Sequence, residues 1–167
     1  MEILQRTLHS AGITGGSSHE ETGLVKVEVG DSIPPWTMDN VTPERMKTVA
    51  AILRDPTPIH WDRSVTRAIG FDGRLLNQSP INLGYIVNML MAWAGPTCIR
   101  RLRTEFPLPV LDGDCVTAGG IVKAIDTKGD VTIAECEIWL DRNDGTRTVQ
   151  ARAWIALAED RGAGGDL

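Results

Sequence analysis

One segment decides most of what this chain can become. Between Ser79-Pro80 and Gly95-Pro96 lie Ile81, Leu83, Tyr85, Ile86, Val87, Met89, Leu90, Met91 and Trp93. Ser followed by Pro suits a helix start, and Gly followed by Pro is a firm stop. At 3.6 residues per turn these side chains cover almost every face, and a helix apolar nearly all round is buried nearly all round. Its longest apolar run, 86–94 with Asn88 inside it, is about half of the ~20 residues that cross a bilayer. The wrapping must therefore come from the rest of the chain. At 167 residues, 42% hydrophobic and 23% charged, that chain closes one such core and is too short for two full-sized ones.

The wrapping material follows the helix. Residues 98–106, 114–125, 131–141 and 146–157 read as four long strands. Asp112-Gly113, Lys128-Gly129-Asp130 and Asn143-Asp144-Gly145 separate them with turn chemistry. In the last strand Val149, Ala151, Ala153, Ile155 and Leu157 face one way, and Thr148, Gln150, Arg152 and Trp154 the other. That period of two marks a sheet with one buried side. The expected order is a strand, a helical excursion, one long buried helix and an antiparallel meander. A curved antiparallel sheet around a central helix is an α+β arrangement, the hot-dog fold.

Upstream, Leu24 to Val29 alternates as a strand closed by Gly30-Asp31, and Ile33-Pro34-Pro35-Trp36 must be extended. Thr42-Pro43 starts a short helix whose stripe is Met46, Val49, Ala50 and Leu53; Pro56 and Pro58 stop it. Asp62 caps a second short helix through Ala68, ended by Gly70. The expected domain is 24–158. Residues 1–23 form a loosely attached arm and 159–167 a Gly-rich tail.

Charge narrows the partners. With 17 Lys and Arg against 22 Asp and Glu, the net charge of -5 lacks the basic face that nucleic acid requires. Residues 1–20 hold no basic start followed by an apolar stretch, so no secretory signal and no membrane association are expected and the location is cytoplasmic. Cys98, Cys115 and Cys136 are odd in number and without CxxC spacing, which suits buried small hydrophobes in a reducing compartment. With His9, His19 and His60 they supply no metal-ligand spacing.

The densest reactive cluster is Arg54-Asp55-Pro56-Thr57-Pro58-Ile59-His60-Trp61-Asp62. A turn stiffened by two prolines lets Asp55 and His60 converge, and a carboxylate and an imidazole sharing one water can do general acid–base work. The same spacing also suits a turn-capping aspartate and a structural histidine. Arg101 and Arg103 share a strand face. They suit either the phosphates of coenzyme A or a solvated surface. Trp61, Trp93, Trp139 and Trp154 are candidates for an acyl tunnel; Trp93 also suits the core, and Trp139 and Trp154 a subunit interface or the back of the sheet.

The run Asp55-x-x-Pro58-Ile59-His60-x-Asp62, followed by Ala68-x-Gly70-Phe71, resembles the signature of the MaoC-like, or (R)-specific enoyl-CoA hydratase, family. That motif runs G-D-x-N-P-L-H-x-D before an Ala and a Gly/Ala-Phe pair. The likeness covers about 30–157 and includes Phe106-Pro107-x-Pro109-Val110 leading to Gly113-Asp114. It implies that Asp55 and His60 hold water for addition to a trans-2-enoyl thioester, or for the reverse dehydration of a 3-hydroxyacyl thioester. The acyl group would arrive on coenzyme A or acyl carrier protein, the thioester being substrate and no cofactor being needed. It further implies that the backbone N–H of Gln78 stabilises the thioester oxygen, as the free N–H groups and positive end of a helix start allow. Asn77 beside it, with Arg101 and Arg103, would bind substrate.

Three positions depart from the pattern: Arg54 replaces the usual Gly, Thr57 the usual Asn, and Asn77-Gln78 the usual His-Gly. Arg54-Asp55, His60-x-Asp62, Asn77 and Trp93-Ala94-Gly95-Pro96 resemble the small catalytic subunit of heteromeric steroid side-chain enoyl-CoA hydratases, which implies a bulky acyl group. A homodimer or a hetero-oligomer with a second MaoC-like chain follows, since a single such sheet leaves edges open. A non-catalytic scaffold subunit is the alternative to the enzyme. A hot-dog thioesterase is disfavoured, because 81–94 contains no Asp or Glu.

Overall fold

In chain order the computed structural model contains β1 (Ser32–Met38), α1 (Pro43–Leu53), a 3-10 turn (Pro58–His60), α2 (Arg63–Ala68) and α3 (Ser79–Ala94). Strands β2 (Ile99–Glu105), β3 (Val116–Lys128), β4 (Val131–Arg142) and β5 (Arg147–Leu157) follow. The structure describes residues 27–157. The expected arm and tail lie outside the described residues, as do 24–26 of the expected first strand and residue 158. Val27 to Val29 are not strand. Glu28 to Asp31 instead form a tight turn in which the Asp31 carboxylate accepts the Glu28 N–H at 2.7 Å, and Gly30 takes φ +99°. The first strand is the segment around Pro34-Pro35. Two prolines without N–H groups fit there because β1 is an edge strand and its register with β3 shifts between Ile33 and Trp36.

All strand pairs are antiparallel, in the order β1-β3-β4-β5-β2. The meander is thus three strands, not four. Segment 98–106 leaves it and pairs with β5, from Ile99 opposite Ile155 to Glu105 opposite Gln150. The reason is the connection: residues 106–115, with Pro107 and Pro109, are too long and too stiff for a hairpin turn. They carry the chain from one edge of the sheet to the other side of the meander.

Helix α3 packs against β1, β3, β4 and β5. Tyr85, Ile86, Met89 and Leu90 are buried in the core with Ile33, Val116, Ala118, Val122, Ile138, Leu140, Val149 and Ile155. Trp36 of β1 stacks on Tyr85 with ring centroids 5.5 Å apart. One curved sheet covers only part of a cylinder. Leu83 and Val87 are half-buried and Met91 is 37% exposed, so the helix is wrapped over part of its circumference rather than all round. No described helix is long and apolar enough to cross a membrane.

Cys98 and Cys136 are buried and Cys115 is half-buried, all as free thiols. Burial pushes the Cys136 thiol up to about 11, which leaves it protonated and inert.

Candidate active site

The site is built where α1 ends. Its last turn closes on Arg54, which takes a left-handed conformation (φ 52°, ψ 41°), and the Asp55 N–H returns to the Ala50 carbonyl at 2.8 Å. Pro56 and Pro58 then hold the chain to the 3-10 turn that presents His60. The loop after α2 meets this turn where the Leu76 N–H donates to the Ile59 carbonyl at 3.0 Å. One more bond fixes the imidazole: His60 Nδ1 lies 2.7 Å from the Leu76 carbonyl oxygen. A carbonyl only accepts, so Nδ1 carries the hydrogen and, in the neutral ring, Nε2 keeps its lone pair. That Nε2 stands 3.5 Å from Asp55 Oδ2, with His60 buried and a quarter of the Asp55 side chain exposed.

Asp55 is held as the anion. The Thr57 hydroxyl, then the Thr57 N–H (3.0 Å to Oδ1) and more weakly the His60 ring hold its carboxyl below the usual carboxylate range, against a smaller opposing effect of burial. When the ring is neutral, a carboxylate oxygen and an imidazole lone pair face each other at 3.5 Å. Both are acceptors, and one water can donate a proton to each.

The third element is the start of α3. Gln78 is its N-cap, in extended conformation, one residue earlier than Ser79-Pro80 suggests. The Asn77 N–H is spent on the Val110 carbonyl at 2.8 Å. Those of Gln78 and Ser79 meet no acceptor among the described residues. Asp55, His60, Asn77, Gln78 and Ser79 all line one cleft of about 530 Å³.

Of the expected site residues, the structure therefore gathers Asp55, His60, Asn77 and Gln78 at one place. It does not gather Arg101 and Arg103. These sit on the outer face of the sheet, opposite Trp154 and Arg152 of β5, with the Arg101 guanidinium 5.1 Å from the centre of the Trp154 ring. The alternation of β2 turns Leu102 to the core and both arginines away from it, so neither lines the cleft. The tryptophans do not line it either. Trp93 packs on the core, Trp61 is 45% exposed, and Trp139 lies on the outer face beneath Arg147.

Sequence reasoning missed part of the cleft's lining. Phe106, Pro107, Leu108 and Pro109 line the same cleft as Asp55 and His60. A proline pair directly after a strand was the available signal for a rigid loop. Asn82 also lines the cleft and is only 4% exposed. A polar residue on a buried helix face was the sign that something other than hydrocarbon packing happens there. Among the described residues, no three His, Cys, Asp or Glu side chains group to hold a metal ion.

No family model and no curated protein matches the chain. Solved structures do. The chain superposes on the (R)-hydratase from A. caviae involved in PHA biosynthesis with a TM-score of 0.69 at 22% identity, over 80% of this chain and 98% of that one. For a MaoC-like dehydratase from Rhodospirillum rubrum the TM-score is 0.70 at 20% identity, over 81% and 96%. For the ChsH1-ChsH2 complex from Mycobacterium tuberculosis it is 0.67 at 21% identity, over 79% and 99%. A five-stranded antiparallel sheet folded round α3, superposing on nearly the whole of each of these chains, gives this protein the hot-dog fold that MaoC-like dehydratases and (R)-hydratases have.

Proposed function

We propose that the chain hydrates a trans-2-enoyl thioester, or removes water from the corresponding 3-hydroxyacyl thioester, in the cleft between Asp55, His60 and the start of α3. The observation on which this rests is the pair of acceptors 3.5 Å apart, with the imidazole tautomer set by Leu76. In the forward direction the water between them loses a proton to the pair while its oxygen bonds to the β carbon. The double-bond electrons move toward the thioester oxygen, where the free Gln78 N–H meets the developing charge. A proton returned to the α carbon completes the addition. Positioned acid–base groups of this kind contribute about 10²–10⁴-fold, and one oxyanion donor roughly 10²–10³-fold. The folds of the (R)-hydratase and dehydratase neighbours are consistent with this chemistry. The cleft's volume of about 530 Å³ and its apolar lining at Phe71, Phe106 and Leu108 suit a bulky acyl group on coenzyme A.

The test is turnover of 2-enoyl-CoA thioesters followed by loss of enoyl absorbance. Asp55→Asn and His60→Ala each lower kcat by about 10²–10⁴-fold, and the double variant loses little more than either alone because the two act on one water. Wild-type turnover in both variants overturns the proposal.

We further propose that the working form pairs with a second hot-dog chain. Among the described residues β1 and β2 are the edges of the sheet, and α3 leaves Leu83, Val87 and Met91 incompletely covered. One neighbour is itself a complex of two chains. Sedimentation of the purified chain, alone and with such a partner, decides this; a monomer with full activity opposes it.

A further inference from the structure

Hydrocarbon packing does not account for one side chain of α3. Asn82 lies inside the helix, is 4% exposed and lines the cleft. A carboxamide so deeply buried needs partners for both its oxygen and its nitrogen. The oxygen has one: Oδ1 accepts from Asn77 Nδ2 at 2.7 Å. The nitrogen donates to no described residue. Among the described residues, Asn77 Oδ1 and Gln78 Oε1 are polar atoms both sealed and unpartnered, and Asn82 Nδ2 is not one of them. The little surface that Asn82 keeps therefore includes this nitrogen, and the space it meets is the cleft.

Three constraints bring that nitrogen to the start of the helix. The Asn82 N–H donates to the Gln78 carbonyl at 3.1 Å, so Asn82 stands one turn behind the cap. Helical side chains lean toward the N-terminus, which carries its amide back over the first turn. The bond from Asn77 then holds the amide beside the residue that precedes Gln78. The free main-chain N–H of Gln78 belongs to the same place. An oxygen held there has lone pairs for more than one donor, and each donor counts for more as negative charge gathers on it. Turning the Asn77 and Asn82 amides over together would set Oδ1 toward the cleft instead. An acceptor there would oppose any oxygen drawn to the helix start, so the arrangement with Nδ2 outward is the productive one.

We infer that Asn82 is a second donor to the thioester oxygen, its Nδ2 meeting from the side chain the charge that the Gln78 N–H meets from the main chain. This rests on the cleft being the thioester site, and it adds a catalytic residue to Asp55 and His60. Asn77 becomes a positioning residue, acting through the bond that orients the Asn82 amide.

The experiment compares Asn82→Leu with Asn82→Asp, both close to asparagine in size. Leucine removes the donor and the bond from Asn77. Aspartate keeps an oxygen for Asn77 and removes only the donor, at a pH where the new carboxyl is ionised. With 2-enoyl-CoA thioesters each variant lowers kcat by about 10²–10³-fold and leaves KM little changed, because the bond strengthens only as charge develops. Wild-type kcat in Asn82→Asp overturns the inference, since the side chain would then serve the Asn77 bond alone. A raised KM with unchanged kcat overturns it too. If Asn82→Leu fails to fold, Asn82→Asp decides. A second readout needs no turnover: cinnamoyl-CoA, bound in an Asp55→Asn background, absorbs at longer wavelength when donors polarise its carbonyl. That red shift shrinks when Asn82→Asp is added. An equal shift in both proteins, no shift, or no binding overturns the inference. If wild type hydrates no thioester, the hydratase reading fails separately and the red shift alone decides the role of Asn82.

Discussion

Arg54 sits at φ 52° where α1 ends, in the left-handed region that costs a residue with a Cβ about 1–2 kcal/mol. Glycine occupies this place in the motif the sequence resembles, and the structure supplies the reason. Arg54→Gly should raise stability by about 0.5–1 kcal/mol, the relieved strain being partly offset by a looser unfolded chain. A urea midpoint that falls would contradict this. The next residue yields a pH prediction. Asp55 is held below the usual carboxylate range in the folded protein. Its contribution to stability is thus complete above the unfolded carboxylate value and is lost as pH falls through the lowered one. Thr57→Val removes the hydroxyl that acts most strongly on it. The carboxyl titration of Asp55 followed by NMR should then move to higher pH, and an unmoved midpoint would show that the main-chain N–H suffices. Asp55 and His60 were legible in the sequence because two prolines restrict what lies between them. The tautomer of His60 was not, since it depends on the Leu76 carbonyl, sixteen positions away.

At the level of elements, burial pattern made α3 and the strands visible, and pairing was the part it left open. Alternation in 98–106 says that one face is buried but not which neighbour it meets. The partner of β2 is set by a proline-containing connection. Apolar content likewise overstated the wrapping of α3, because Leu83, Val87 and Met91 carry the same hydrophobicity as their buried neighbours and only the reach of the sheet separates them. Close approach between β1, β3 and β4 depends on Gly120. A Cβ there would lie 2.6 Å from Ile138 Cδ1, 2.9 Å from Ile33 Cδ1 and 3.2 Å from the Glu137 carbonyl oxygen. Gly120→Ala should destabilise by about 1–3 kcal/mol through overpacking, measured by chemical denaturation. At Gly119 the clash is with the half-exposed Trp139 ring on the outer face, which has more room to turn aside, so Gly119→Ala should cost less.

At the scale of the molecule, the two walls of the cleft are tied together by one carboxylate. Asp112 accepts the Leu75 N–H at 2.6 Å and the Arg63 guanidinium at 2.7 Å, while Arg74 bonds the Asp112 carbonyl and the Asp114 carboxylate. This clasp joins the segment entering α3 to the loop before β3. Asp112→Ala should cost about 2–3 kcal/mol and raise KM for the proposed thioester more than it lowers kcat, since it slackens the walls without touching Asp55 or His60. An unchanged KM would show that the walls are held by packing alone. None of these cross-links could be read from spacing, because each spans thirty-seven positions or more. The cleft's lining runs only from Asp55 to Pro109 and takes nothing from β3, β4 or β5, although those strands supply half of the buried core. Chemistry and scaffold are consequently inherited by different stretches of the same polymer. Laboratory diversification confined to the proline-braced turn, the helix entrance and the proline loop can retune what the cleft accepts, while the sheet drifts or is redesigned on its own schedule.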